Sequence, residues 1–415
     1  MTPDPTEYAR LAERLTATGI LSDPWLDGRP RFRAAPIVLD AATDRALAGA
    51  AESVAAVYNE VALMCAADPA LLDRYFGLTP FQRLMWDASA PLWHGIARAD
   101  VFRTADGPAV CELNCDTPSG EAEAVLLNPA VAREGLADPS RRLDARFCDL
   151  IETMAARIGK RGPLTVGIIY PTELVEDLSM IVLYQRWFEA RGWRVVLGSP
   201  FNLRRAGARG AALFDTRCDV FVRHYKTDWW GERLPVWDDE EELPDREPLV
   251  EPLRTLLGSA LASGCAVVNP FGSVVTQNKR AMALMWEELA RFPSWAQEAI
   301  RAYVPFTARL ERLSPDELRC KDEWVLKSDY GCEGTEVIVG AETTDEVWSE
   351  SLAHAIPRRW IAQRWFRALA DEDGAVVNHG VFVVGGVACG YLTRVQKGAT
   401  DCHALTAPTL IEANP

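Results

Sequence analysis

Ten cysteines are present, but no two form a CxxC pair, so neither a zinc ribbon nor a disulfide framework is signalled and reduced thiols are the simplest reading. Histidine is scarce. There are five in 415 residues, none at metal-ligand spacing, which leaves no ready histidine-based nucleophile or metal centre. No apolar run reaches the ~18 residues of a membrane span. The start, Met1-Thr-Pro-Asp-Pro-Thr6, is neither basic nor apolar and shows no signal peptide, so a cytoplasmic location is expected. Positive charge is in deficit: 44 Lys and Arg against 59 Asp and Glu give a net charge of −15. That balance argues against a nucleic-acid or anionic-membrane surface and permits a cationic substrate. There is no internal repeat and no low-complexity tract. Neither a Walker A motif nor a Rossmann fingerprint occurs.

What is there is ordinary globular composition, 48% hydrophobic and 25% charged, in a chain long enough for two or three domains. Fourteen tryptophans are many for this length, and their positions do not decide between core and pocket. Residues from about 6 to 95 read as mainly helical, with an Ala-rich helix over 41–63 and another entered at Thr79-Pro80. Residues 121–127 read as a helix entered by a Ser/Gly cap.

From Leu164 the pattern changes. Strands at 164–170, 194–197, 219–223 and 265–269, with a helix at 177–190, predict a small parallel sheet covered by helices. An acidic loop spans 238–247. Beyond it come a helix at 277–287, strands at 324–327, 335–339 and 360–366, and a hairpin around Gly385-Gly386.

The densest chemistry lies in Arg98–Ser119. Two alternating runs flank Thr104-Ala-Asp-Gly-Pro108, which reads as a three-residue hairpin loop centred on Asp106. Asp100 then faces Glu112 and Arg98 faces Asn114, and all four side chains share a face. Opposed carboxylates destabilise a bare sheet, whereas a hard divalent cation reverses that sign and favours carboxylate and amide oxygens. A solvated hairpin face with fortuitous acids is the alternative.

Further on, Lys327 ends a strand and is followed by a loop with Gly331 and Gly334, an arrangement suited to cradling phosphates. Two glycines in a hairpin can also be simply a turn. Lys279 opens a helix and could equally cap or snorkel. Gln363 sits between Ile361 and Trp365 on an apolar strand and could be an edge residue or part of an adenine-reading segment.

The order of these features resembles the synthetase domain of glutathionylspermidine synthases, in the ATP-grasp superfamily. That family's Arg-x-Asp, followed twelve residues after the Asp by Glu-x-Asn, is matched by Arg98, Asp100, Glu112 and Asn114. Its helix start is similar to Asn278-Lys279-Arg280-Ala281. Its strand lysine and glycine loop are matched by Lys327 and Gly331–Gly334, its adenine hinge by Ala362-Gln363-Arg364-Trp365, and its late glycine-rich hairpin by Val383–Arg394.

The resemblance implies an α/β (α+β) ATP-grasp fold with a preATP-grasp, Rossmann-like domain and a helical N-terminal region. The divisions expected are 1–160 with the metal-binding hairpin at 98–116, 161–272 for the preATP-grasp-like domain, and 273–415 for the nucleotide-binding region with a lid at about 323–366. It implies ATP and Mg²⁺ as cofactors. ATP would be held by Lys279, Lys327, Gly331, Gly334, Gln363 and Trp365, and Mg²⁺ by Asp100, Glu112 and Asn114. Arg98 and Arg394 would stabilise an acylphosphate. The implied activity is amide formation from a small-molecule carboxylate and an amine, with peptide and polyamine as candidates and no nucleic-acid or membrane partner. An ATP-grasp kinase acting on a hydroxyl, or a nucleotide-binding regulatory module without turnover, are the alternatives.

Two departures bear on the substrate. The chain has no room for an amidase domain, and Asp329 and Glu333 put two acids in a loop expected to meet phosphates.

Overall fold

The computed structural model describes residues 5–21, 23–26, 28–172, 177–231, 249–331, 336–371, 374–398 and 403–413. The acidic loop expected at 238–247 and Gly334 lie outside the described residues.

Helix Ala41–Ala67 runs four residues past its expected end. It begins where the Asp40 carboxylate accepts the Thr43 N–H at 2.7 Å. Helix Pro80–Ser89 starts at a reciprocal capping box between Thr79 and Gln82. Helix Glu121–Ala130 follows Gly120, whose φ of 97° replaces the expected side-chain cap.

The expected parallel sheet is present, in the order Ala266–Val268, Val220–Arg223, Thr165–Ile169, Arg194–Gly198. Helices Leu143–Arg157 and Leu178–Ala190 bury Phe147, Ile151 and Ile181 against Val166, Ile168 and Val222. Helix Val250–Leu261 buries Leu253 and Leu256 against Phe221 and Val267 on the other face. A small antiparallel sheet, Leu203–Ala206, Gly210–Leu213 and Thr216–Arg217, was not legible in the sequence.

The acidic hairpin is built into the C-terminal sheet, although the sequence reading groups it with residues 1–160. Five antiparallel strands run in the order Leu405–Ala407, Val387–Gln396, Val376–Val384, Ile96–Thr104, Gly107–Asn114. Its back face, Ala97, Ala99, Val101, Val381 and Val383, packs into one apolar core with Leu47, Val54, Tyr58 and Val61 of the Ala-rich helix. Burying that face fixes the alternation, because the intervening residues must then point the other way. The C-terminal hairpin turns through Gly385 and Gly386, both at positive φ (58° and 86°), as a two-residue primed turn requires.

A second sheet, in the order Thr307–Arg309, Ile361–Arg364, Trp324–Lys327, Val337–Val339, stands across a cleft from the first. Helix Asp345–Ala355 covers its outer side through Trp348, which packs with Trp324, Leu326 and Trp360. Tryptophan therefore serves both core and cleft: Trp324 and Trp230 are fully buried, whereas Trp229 and Trp365 line the cleft.

Candidate active site in the inter-sheet cleft

The hairpin register is the one expected, Asp100 opposite Glu112 and Arg98 opposite Asn114, but the turn is not. Thr104 pairs with Gly107, so the loop has two residues, and an irregularity between the Asp100 and Val101 pairs leaves Cys111 unpaired. That extra residue is a bulge, and it restores the register that the shorter loop would otherwise shift. Because Cys111 is bulged, its carbonyl is free to accept the Lys327 ammonium at 3.1 Å, which links the hairpin to the opposite sheet. Burial pushes the Cys111 thiol up to about 12, so it stays protonated and is no nucleophile.

The cleft has a volume of about 970 Å³. Its floor carries Arg98, Asp100, Glu112, Asn114 and Arg394, and its facing wall carries Lys327, Gln363 and Trp365, with Gly331 at one margin. Lys279 stands behind this lining. Its ammonium donates to the Gly331 carbonyl at 2.5 Å and lies 3.6 Å from Glu112 Oε2. A Cβ at Gly331 would clash with the Ser328 and Glu336 side chains, so a side chain there requires these to shift. The Gly331 N–H donates to Ser328 Oγ at 2.8 Å. The loop is thus held by internal bonds at its described end.

Gln363 is buried and its side-chain amide is already engaged. Oε1 accepts from Lys327 at 2.9 Å, and Nε2 donates to Thr307 Oγ1 at 3.1 Å. The amide therefore positions Lys327, while the residue itself lines the cleft.

Asp100 is likewise more tightly held than expected. Oδ1 accepts from Arg98 Nε at 3.2 Å, and Oδ2 from Arg394 Nη2 at 2.6 Å and from Asn378 Nδ2 at 3.4 Å. Burial alone would raise its pKa. The Arg394 and Arg98 guanidinium groups outweigh that and hold the carboxyl below its usual range. Glu112 is less committed, its only ion pair among the described residues being the long one to Lys279. The Asn114 Nδ2 is buried without a partner among the described residues.

A further wall was not anticipated. Asp116 accepts Arg223 Nη2 at 2.5 Å, the Thr227 N–H at 2.7 Å and Ser273 Oγ at 2.7 Å. Burial opposes its charge, but Arg223 prevails and keeps the carboxyl low. Asn269 ties the same corner: Oδ1 accepts the Gly95 and Ile96 N–H groups at 2.7 and 2.9 Å, and Nδ2 donates to the Cys115 carbonyl at 3.0 Å. These bonds lock the end of the acidic strand to the C-terminal edge of the parallel sheet. Arg223, a charged residue closing an apolar strand, was the one legible signal of this corner.

Among the described residues, no three His, Cys, Asp or Glu side chains converge to hold a metal ion. No described helix is long and apolar enough to cross a membrane.

Residues 242–412 match the family described as Glutathionylspermidine synthase preATP-grasp. No curated protein matches the chain. Among solved structures, a glutathione synthetase like-effector from Globodera pallida superposes with a TM-score of 0.61 at 11% identity, covering 98% of this chain and 97% of that one. A putative gamma-glutamylcysteine synthetase from Methylobacillus flagellatus KT gives a TM-score of 0.47 at 14% identity, covering 90% and 87%. An ATP-grasp RimK domain protein from Sphaerobacter thermophilus gives 0.31 at 17%, covering 60% and 92%. The chain thus shares the α/β fold of the glutathione synthetase like-effector, and its resemblance to the glutathionylspermidine synthases rests in sequence on residues 242–412.

Proposed function

We propose that this protein is an ATP-dependent carboxylate–amine ligase that forms an amide through an acylphosphate. One observation carries the reading. Lys327, two arginines and the Asp100–Glu112–Asn114 set line one cleft between two sheets, with Lys279 behind Glu112. The family match on residues 242–412 supports the same class.

Mg²⁺ fits the donors available. Among the described residues, Glu112 carries only a long ion pair and the Asn114 side-chain nitrogen has no hydrogen-bond partner, and Asp100 lies directly across from Glu112. A cation held by a few such oxygens completes its shell with phosphate and water, as magnesium commonly does. Once bound, it would supply charge neutralisation of the transferring phosphoryl group.

The chain's own residues supply the rest. Lys327, fixed by Gln363 and the Cys111 carbonyl, holds phosphate oxygens by charge-assisted bonds. Lys279 supports the Gly331 loop and the Glu112 carboxylate together. Trp365, half-exposed at the cleft wall, offers an apolar face for a base. Arg98 and Arg394 present guanidinium groups where a substrate carboxylate attacking the γ-phosphate would become an acylphosphate. An amine then displaces phosphate and leaves the amide. The wall near Asp116 and Thr227 is where the two substrates would be seated.

Phosphate release from ATP is measured across pairs of carboxylic acids and amines, with hydroxylamine as a substitute amine. The expected result is ADP and phosphate in step with amide, and a hydroxamate with hydroxylamine. A product that retains the phosphate and resists hydroxylamine would assign the protein to the hydroxyl kinases. Binding of ATP without turnover for any pair would assign it a regulatory role.

A further inference from the structure

Asp100 is asked for two things that compete on one carboxylate. In the reading above it is a cation ligand, yet both of its oxygens carry donors from Arg98, Arg394 and Asn378. The guanidinium of Arg394 is the nearest of these, at 2.6 Å. A divalent cation approaching Oδ2 therefore meets a resident positive charge, and the two compete for that oxygen.

The neighbouring atoms offer an exit. Asn378 lies directly opposite Arg394 in the ladder between strands Val376–Val384 and Val387–Gln396. Asn378 is 2% exposed, and its Oδ1 has no hydrogen-bond partner among the described residues. Arg394 Nε is likewise buried and unpartnered. An unused acceptor and an unused donor thus sit on facing residues, beside the one carboxylate that both touch. A buried unsatisfied pair of this kind is costly, and a bond that joins them recovers that cost. The amide orientation is set by its neighbour: Nδ2 must face the Asp100 carboxylate, which leaves Oδ1 turned away from it.

We propose that Arg394 and a divalent cation hold Asp100 in alternation, and that Asn378 is the second partner that receives Arg394 when the cation arrives. The proposal rests on the assignment of Asp100 as a cation ligand. Arg394 is then released toward the phosphoryl group only in the cation-loaded site, so cation and anion binding reinforce each other. Asn378 is a positioning residue in this scheme and acts through Arg394.

The test uses Mn²⁺ alone, titrated into the nucleotide-free full chain with free Mn²⁺ read by electron paramagnetic resonance. Removing the competitor in Arg394→Met is expected to tighten Mn²⁺ binding about tenfold or more, since a charge in direct contact is lost. Asn378→Ala is expected to weaken binding severalfold in the wild-type background and to cause no loss in Arg394→Met, where removing its own bond to Asp100 can only free that carboxylate, a coupling that a double-mutant cycle measures. Equal affinity in wild type and Arg394→Met overturns the exchange. An equal loss from Asn378→Ala in both backgrounds overturns its role as the second partner of Arg394. Asp100→Asn separates the two levels. Unchanged Mn²⁺ binding there removes Asp100 as a ligand and with it the cation assignment. Weakened binding there, with Arg394→Met unchanged, leaves that assignment standing and removes only the exchange. Melting curves establish that each variant is folded, and Arg394→Gln replaces Arg394→Met if the latter is not.

Discussion

Gly380 lies directly opposite Asp100, and the space its missing side chain leaves is crossed by the stem of Arg98. A Cβ at Gly380 would stand 2.8 Å from Arg98 Cδ and 2.7 Å from the Leu392 carbonyl oxygen. The arginine could yield, but the strand backbone could not. Gly380→Ala is therefore expected to displace Arg98 from Asp100 and from the Ser119 carbonyl, which it reaches at 2.6 Å. Overpacking of this kind costs about 1–3 kcal/mol. Turnover should fall at least tenfold alongside that moderate loss of stability. Steady-state kinetics and a melting curve on the same preparation check both, and unaltered turnover would show that the Arg98 position is not used.

Glu112 is the least committed acid of the cluster, which makes it the sharpest probe of the cation assignment. Glu112→Gln keeps the shape and removes the charge. Loss of an electrostatic contact made in the transition state typically costs about a hundredfold or more in turnover. The same change should leave the melting temperature nearly unmoved, because the carboxylate is not part of the buried Asp116 network. Full activity of Glu112→Ala at saturating Mg²⁺ would sink the assignment.

Lys327 and Gln363 are expected to act as a unit on the nucleotide. Lys327→Ala removes a charge-assisted contact worth roughly 1.5–3 kcal/mol, or about ten- to a hundredfold in ATP affinity. Gln363→Leu keeps the lysine but removes the acceptor 2.9 Å from it, and should weaken ATP severalfold. In the Lys327→Ala background it should add little. Calorimetry on the four proteins decides, and additive losses would mean that Gln363 contacts the nucleotide in its own right.

Much of this was legible because it is local. The alternation of Val101, Asp100 and Ala99 gives a two-faced strand, and the pairing of Asp100 with Glu112 follows from a turn a few residues away. The glycine pair at Gly385-Gly386 announces its own hairpin. What could not be read is non-local. Nothing in Asp100 signals that Gly380, 280 residues later, will lie beside it, or that Asn378 will share its carboxylate. The bulge at Cys111 was hidden for another reason: it cancels a loop one residue shorter than expected, so the correct register follows from an incorrect turn. Gln363 lines the cleft, but its bond to Lys327 across the strand pair is not shown by spacing.

The last expectation concerns pH and lies just behind the site. Glu121 is fully buried, with Oε1 accepting from Tyr184 at 2.8 Å and Oε2 without a hydrogen-bond partner among the described residues. Burial pushes its pKa from the usual 4.5 up to about 7, against smaller opposing effects from Tyr184, His224 and Arg98. A folded-state pKa above the unfolded one means that the native state binds the proton more tightly. The associated stability is fully present below about 4.5 and is lost as the pH rises through about 7. At 1.36 kcal/mol per unit, a shift of this size corresponds to about 3 kcal/mol between those limits. Glu121→Gln keeps an oxygen for Tyr184 and cannot ionise, so the variant should be no more stable than wild type near pH 5 and clearly more stable near pH 8. Urea unfolding at both pH values measures the difference. If the stability gap between variant and wild type is the same at each, Glu121 titrates normally and its burial carries no cost at neutral pH.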